Sequence, residues 1–199
     1  QLDHIRTRLF ANLSLARHHV VLDLDAGSGL LTWEALRRVA EGGVWALCTD
    51  RRAAVGLREM ASHHLDELDR PIVMEGPAAH LSDLVRLQDD SVRFDAVLAR
   101  NALGDVVERD AVARRVVELL APQAAISLAE TVSRLGQRLT DLVPLTELGD
   151  DLAARVRQAE EEIYTDTANP RVTWGPEDLQ RLWTEAGLSA VAVDTETLT

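Results

Sequence analysis

Along the first two thirds of the chain, short unbroken apolar runs alternate with longer stretches in which apolar residues recur every third or fourth position. The short runs read as strands buried on both faces, and the longer stretches as helices with one apolar side. Leu2, Ile5, Leu9 and Leu13 keep helical spacing over 2–15, ahead of a first strand beginning at Val20. A helix from Trp33 to Val39 follows, with Glu41-Gly42-Gly43 as its stop, since glycine tolerates a left-handed cap. The pattern then gives a strand over Val44–Thr49, a helix over Arg51–Leu68 through Val55, Leu57, Met60, His64 and Leu68, and a strand over Pro71–Met74. A helix over Leu81–Leu87, a strand over Phe94–Ala99, a helix over Asp110–Leu120 closed by Pro122, and a fifth strand over Ala124–Ala129 complete it.

Strict strand–helix alternation predicts parallel strands joined by crossover helices, an α/β doubly wound sheet whose ligand crevice lies at the strands' carboxyl ends. Those ends carry Asp23 to Gly29, Asp50, Glu75-Gly76, Arg100-Asn101 and Glu130-Thr131. After strand five the alternation breaks: 131–173 reads as a helical insertion over the crevice, with helical segments over Leu135–Leu142 and Asp151–Ile163 and a polar loop from Tyr164 to Pro170. Asp150 or Asp151 is expected to cap the longer helix, Leu152, Val156, Ala159 and Ile163 to form its apolar face, and Glu160, Glu161 and Glu162 a solvated one. Gly175-Pro176-Glu177 starts another helix, Ala186-Gly187-Leu188 ends it, and Ala190–Val193 reads as a last strand. With no repeat or linker, residues 1–199 are expected to form a single domain.

Composition narrows this picture. The chain has 199 residues, 46% of them hydrophobic, and no apolar run approaching the roughly 20 needed to cross a bilayer, so no membrane association is expected. A net charge of −12 repels a phosphate backbone, so autonomous nucleic-acid binding is not expected either. All 21 basic residues are arginine, which excludes a Walker-loop or Schiff-base lysine. The lone Cys48 sits within an apolar run as an inert thiol, and together with the lack of a leader it suggests the cytoplasm. The chain opens on Gln1 and reads as a piece of a longer polypeptide. His18-His19 and His63-His64 lack ligand spacing, so no metal is expected, and no catalytic residue is identifiable.

The first strand and its turn carry the chemistry. In Val20-Val21-Leu22-Asp23-Leu24-Asp25-Ala26-Gly27-Ser28-Gly29, an apolar run ends in acid and passes through glycines into a helix whose first N–H groups are free. Gly27 and Gly29 let a ligand approach the backbone, or serve only a tight strand-to-helix turn. Asp23 accepts from an ammonium group or orders the turn. Asp50 offers two oxygens to a ribose diol, or caps the helix at Arg51. Asn101 and Glu130 line the substrate side or satisfy local backbone. Tyr164 and Trp174 bracket the insertion's polar loop, where they either cover a ligand or pack the insertion. A dinucleotide binder needs a third glycine where Thr32 stands, which leaves a nicotinamide-dependent oxidoreductase as the weaker alternative.

These residues resemble the class I S-adenosylmethionine-dependent methyltransferases, whose sheet is Rossmann-like and seven-stranded. The likeness spans Val21 to Gly29, Asp50, Phe94-Asp95-Ala96-Val97-Leu98, Leu120 to Leu128, and Glu185-Ala186-Gly187-Leu188. It implies S-adenosylmethionine as cofactor and assigns its binding to Asp23, Asp25, Gly27, Gly29, Asp50, Glu75, Gly76, Arg100 and Asn101, with Glu130, Tyr164 and Trp174 toward an unidentified substrate. Two departures stand out: Asp25 replaces the usual first turn glycine, and Pro77 follows Gly76 where members often carry an acid. More narrowly, Gly29 to Ala35, Arg100 to Leu103, Ser127 to Thr131 and Ala159 to Tyr164 are similar to a methyltransferase-like domain at the C-terminal end of bacterial replication-associated recombination protein A chains, which are AAA ATPases. That likeness implies an ATPase region of the same polypeptide as partner, and a non-catalytic accessory module as the alternative function.

Overall fold

Five strands form one sheet in the order β3-β2-β1-β4-β5, each neighbouring pair parallel. In the computed structural model, which describes residues 1–197, they are β1 (Val20–Asp23), β2 (Gly43–Cys48), β3 (Ile72–Glu75), β4 (Phe94–Arg100) and β5 (Leu120–Ala129). The helices are α1 (Leu2–Ala11), α2 (Leu30–Arg38), α3 (Arg51–His64), α4 (Leu81–Gln88), α5 (Arg109–Glu118), α6 (Leu139–Leu142), α7 (Asp150–Thr165) and α8 (Pro176–Glu185). The chain winds outward from β1 to β3 and then returns to lay β4 against β1's other side. The two directions part between β1 and β4, where an open α/β sheet leaves a crevice.

The period-two geometry of the strands sends alternate residues to two cores. Leu22, Trp45, Leu47, Phe94 and Val97 face one side, under Leu81 and Val85 of α4, Val112 and Val116 of α5, and Leu182 and Trp183 of α8. Trp45 and Phe94 meet edge to face with ring centroids 5.7 Å apart. Val21, Val44, Ala96 and Leu98 face the other side, against Leu9 and Phe10 of α1 and Leu31 and Ala35 of α2. Ala46, Cys48, Ala54 and Leu57 extend that layer beneath α3.

Several boundaries differ from the sequence reading, each for a physical reason. Helix α1 ends at Ala11 rather than Leu15, but Leu13 and Leu15 still pack on the core as irregular chain. Gly42 is no left-handed cap: a Cβ there would lie 2.0 Å from the His19 carbonyl oxygen, so glycine is needed for close approach of two backbones. Helix α3 stops at His64, and its buried face is Ala54, Leu57 and Ala61, while Val55, Met60 and Leu68 are exposed. Pro122 does not close α5. It lies inside β5, where a register irregularity sets Leu120 opposite Phe94 and Ala125 opposite Ala96, and such an irregularity accommodates a residue without an N–H.

At the chain's end, Ala190–Val193 forms no strand. This tail passes from the α8 face toward α1, with Val191 packed on the first core and Glu196 paired with His4 (3.0 Å) and Arg8 (3.5 Å). Among the described residues, β5 is therefore an edge strand. The N-cap of α7 is Gly149, not Asp150 or Asp151. The Glu160–Glu162 run is only partly a solvated face. Glu160 accepts the Leu139 and Thr140 N–H groups (2.6 and 3.0 Å) and Glu161 pairs with Arg138 (2.9 Å), so the two acids fasten α6 to α7. Among the described residues, no helix is long and apolar enough to cross a membrane.

Candidate functional site

The turn from β1 into α2 stands at the sheet's switch point, and both of its glycines are left-handed: Gly27 at φ 49° and Gly29 at φ 83°. Gly29 is buried, and an added Cβ would meet Trp33 Nε1 at 2.8 Å and Leu57 Cδ1 at 2.9 Å. Gly27 is exposed, and its Cβ would meet nothing within 4 Å. One glycine thus packs the turn against α2 and α3, and the other leaves an open approach to bare backbone.

Asp23 does not reach the crevice surface. It is fully buried, and one carboxylate oxygen accepts the Thr32 hydroxyl at 2.7 Å while the other has no partner among the described residues. Burial, opposed by the Thr32 hydrogen bond and reinforced by the charge of Asp25, pushes its carboxyl up to about 7. Of the two roles the sequence left open, its surroundings match the ordering of the turn. The position a third glycine would take in a dinucleotide fingerprint is filled by Thr32, whose hydroxyl is committed to Asp23.

Asp25 is the acid that faces the crevice. Partial burial raises its carboxyl, while the Thr49 hydroxyl and the Arg100 guanidinium pull it back, so its charge has a cation nearby. Asp50 caps α3, accepting the Ala53 N–H at 3.2 Å, and its side chain is exposed. Glu75 pairs with Arg58 at 3.6 Å, and Gly76, at φ 150°, donates its N–H to the Cys48 carbonyl. Burial first, and then the charges of Asp23 and Asp25, push the Cys48 thiol up to about 11, which leaves it inert.

On the β4 and β5 side, Asn101 is left-handed at φ 57°, which asparagine tolerates, and its Oδ1 accepts both the N–H (2.9 Å) and the hydroxyl (3.0 Å) of Thr131. It ties the two strand ends together. Glu130 accepts the Leu103 N–H at 3.1 Å, but its Oε2 is buried without a partner among the described residues. Burial pushes this carboxyl to about 7 against the pull of two backbone N–H groups and Arg109.

Arg109 carries no motif or spacing that marks it in the sequence, yet it organises this end of the sheet. Its guanidinium donates to the Leu103, Gly104 and Pro170 carbonyls (2.9, 3.1 and 2.5 Å) and lies 5.4 Å from the centre of the Trp174 ring. Arg171 pairs with Asp105 beside it, so the end of the insertion is fastened to the β4–α5 loop. Trp174 is buried here. Tyr164 lies apart from it under Arg138, 3.7 Å from guanidinium to ring centre, within the α6–α7 pair. A recess of ≈ 200 Å³ opens among Leu103, Arg109, Trp174, Asp178 and Arg181; that is less than the about 300 Å³ a typical ligand pocket offers, and none of the turn's residues lines it.

The structure thus gathers Asp25, Gly27, Gly29, Asp50, Arg100 and Glu130 around one set of strand ends. It commits Asp23, Glu75 and Asn101 to protein partners. Among the described residues, no three His, Cys, Asp or Glu side chains are placed to hold a metal ion.

No family profile matches this chain, and no curated protein does. Solved structures do resemble it in fold. The mycolic acid cyclopropane synthase CmaA1, solved with S-adenosylhomocysteine, aligns at a TM-score of 0.64 and 14% identity over 96% of this chain and 62% of its own. Phosphoethanolamine N-methyltransferase 2 of Haemonchus contortus, solved with S-adenosyl-L-methionine, gives 0.62 and 14% over 93% and 36%. The plantazolicin methyltransferase BamL, solved with S-adenosylhomocysteine, gives 0.60 and 12% over 94% and 60%. The chain therefore spans between about a third and somewhat under two thirds of the length of these proteins, and it shares their fold, a Rossmann-like parallel sheet flanked by helices.

Proposed function

We propose that this chain is an S-adenosylmethionine-binding, methyltransferase-like domain. The observation that carries the reading is the left-handed turn Asp25–Gly29 at the switch point, open over Gly27 and flanked by the exposed carboxylate of Asp50. The residues present fit the ligand's chemistry. The amino-acid end of S-adenosylmethionine is a zwitterion, and Asp25 with Arg100 presents an acid and a base at one place, so the Asp25 charge meets an ammonium while Arg100 meets a carboxylate. Asp50 would accept from the ribose hydroxyls with the oxygen that does not cap α3. When bound, the cofactor supplies an electrophilic methyl on a sulfonium sulfur. The chain's part is to hold it, exclude water and align an acceptor behind that methyl. Glu130 is the buried carboxyl facing the acceptor side in this reading.

Calorimetry with S-adenosylmethionine and S-adenosylhomocysteine tests the proposal. Binding heat and a raised thermal midpoint are expected at ligand concentrations up to about 1 mM. Asp50→Ala is expected to cost about 1 kcal/mol of stability through the lost cap and to weaken the cofactor about tenfold. Absence of heat and of any thermal shift with both ligands would reject cofactor binding.

The narrower reading places the domain in a bacterial cytoplasmic protein, in cis with an AAA ATPase region, and rests on the four motif strings from Gly29 to Tyr164. Co-purification of the domain with that ATPase region supports it, and failure to associate removes it.

A further inference from the structure

The insertion keeps an unusual share of its apolar residues in water. Of the fourteen large hydrophobic side chains exposed among the described residues, seven lie between Leu135 and Ile163. On α7 the exposure follows a register. Leu152 is 43% and Ile163 60% exposed, with Ala159 exposed and Val156 half-buried between them. Spacings of four, three and four make these the d, a, d and a positions of a heptad, the seam by which one helix packs along another.

The two flanks of that seam differ. On the e side, Ala153 is buried in its own chain and Glu160 is spent on Leu139 and Thr140, so this flank faces inward. On the g side stand Arg155 and Glu162, both exposed and both without an ion-pair partner among the described residues; Glu162 only accepts from Gln158, one turn away. We propose that α7 is a homotypic interface, on which a second copy of this chain lays its own α7 antiparallel across the Leu152–Ile163 seam.

A two-fold axis between Val156 and Ala159 sets Leu152 against Ile163 of the partner copy and Val156 against its Ala159. The same axis brings Arg155 of each copy beside Glu162 of the other, so both unpaired charges find opposites. A parallel arrangement would pair Arg155 with Glu160, which the chain's own α6 already occupies. A seam of this length, between bodies of net charge −12, makes a weak dimer rather than an obligate one.

Sedimentation of the whole chain from about 1 to about 300 µM tests this, and a concentration-dependent monomer–dimer equilibrium is expected. Ile163→Glu is expected to leave a monomer throughout that range. Arg155→Glu is expected to weaken the dimer roughly fivefold or more, and adding Glu162→Arg to restore it to within about threefold of wild type. Unchanged far-ultraviolet circular dichroism and thermal midpoints, measured where wild type is monomeric, show that these exposed substitutions leave the fold alone. A monomer at every concentration overturns the proposal, as does a dimer indifferent to Ile163→Glu or a charge swap that fails to restore association. None of these readouts depends on cofactor binding.

Discussion

Raising the pH from about 5.5 to about 8 is expected to lower the stability of this protein, and Asp23→Asn to remove a large part of that loss. Asp23 is fully buried on the core side of the β1–α2 turn, and its carboxyl is pushed up to about 7, chiefly by burial. In the unfolded chain it titrates near 4. Between those values the unfolded state has released a proton that the native state keeps, so stability falls as pH rises through the window and levels off above about 7. At about 1.4 kcal/mol per pH unit, the part of the window above pH 5.5 amounts to about 2 kcal/mol, or roughly 4–8 °C in thermal midpoint for a chain of this size.

Glu130 adds a loss of the same sign, since burial lifts it to about 7 as well, against the pull of the Leu103 and Ala102 N–H groups and Arg109. An asparagine in place of Asp23 keeps an oxygen for the Thr32 hydroxyl and cannot ionise, so the variant is expected to be more stable than wild type at pH 8 and flatter across the range. Asp90→Asn, on the surface, removes a carboxylate outside the core and is the control for the change of residue type. Denaturant titrations of the three proteins at both pH values decide it. Parallel curves for wild type and Asp23→Asn would mean that the carboxyl of Asp23 is not the source of the pH dependence.

The alternation of strand and helix was legible because β1, β2 and β4 are buried on both faces along most of their length and are apolar but for Asp23, Asp95 and Arg100, which leaves a mark in the sequence. The buried face of α3 was not. Counting large apolar residues selects Val55 and Met60, whereas the residues buried beside Leu57 are the small Ala54, packed with Ala46 and Cys48, and Ala61. The Ala190–Val193 tail has the composition of a strand, but a strand also needs a neighbour's backbone hydrogen bonds, and here Val191 packs on the core while its carbonyl accepts, among the described residues, only the Gln180 side chain, at 3.5 Å. At the site, the glycine turn and its acids announced themselves. The division of labour between Asp23 and Asp25 did not, because two acids so close in the chain look alike until the fold buries one and turns the other to the crevice. Arg109 and Glu160 were hidden for another reason: they bond to carbonyls and N–H groups far along the chain, and backbone partners leave no trace in residue types.

Replacing each turn glycine by alanine is expected to separate packing from binding. Gly29→Ala places a Cβ at φ 83°, a left-handed conformation that costs an L-residue about 1 kcal/mol or more, and drives it within 3 Å of Trp33 Nε1 and Leu57 Cδ1. The Leu57 methyl can swing away, but the Trp33 indole is half-buried against the Ala26–Leu57 cluster with its Nε1 enclosed, so overpacking adds about 1–3 kcal/mol. A total of roughly 2–4 kcal/mol is expected as a lowered midpoint in urea. Gly27→Ala bears the same kind of conformational cost, but its Cβ points into open space and strikes nothing, so a loss of only about 1 kcal/mol is expected. If S-adenosylmethionine lies over this turn, the small stability loss comes with a large affinity loss, because the added methyl occupies the approach to the backbone. A drop of about tenfold or more is expected by calorimetry, in a protein that still unfolds cooperatively. Undiminished affinity in folded Gly27→Ala would show that the ligand does not approach the turn at Gly27, and would leave Gly27 as a residue of the turn's geometry alone.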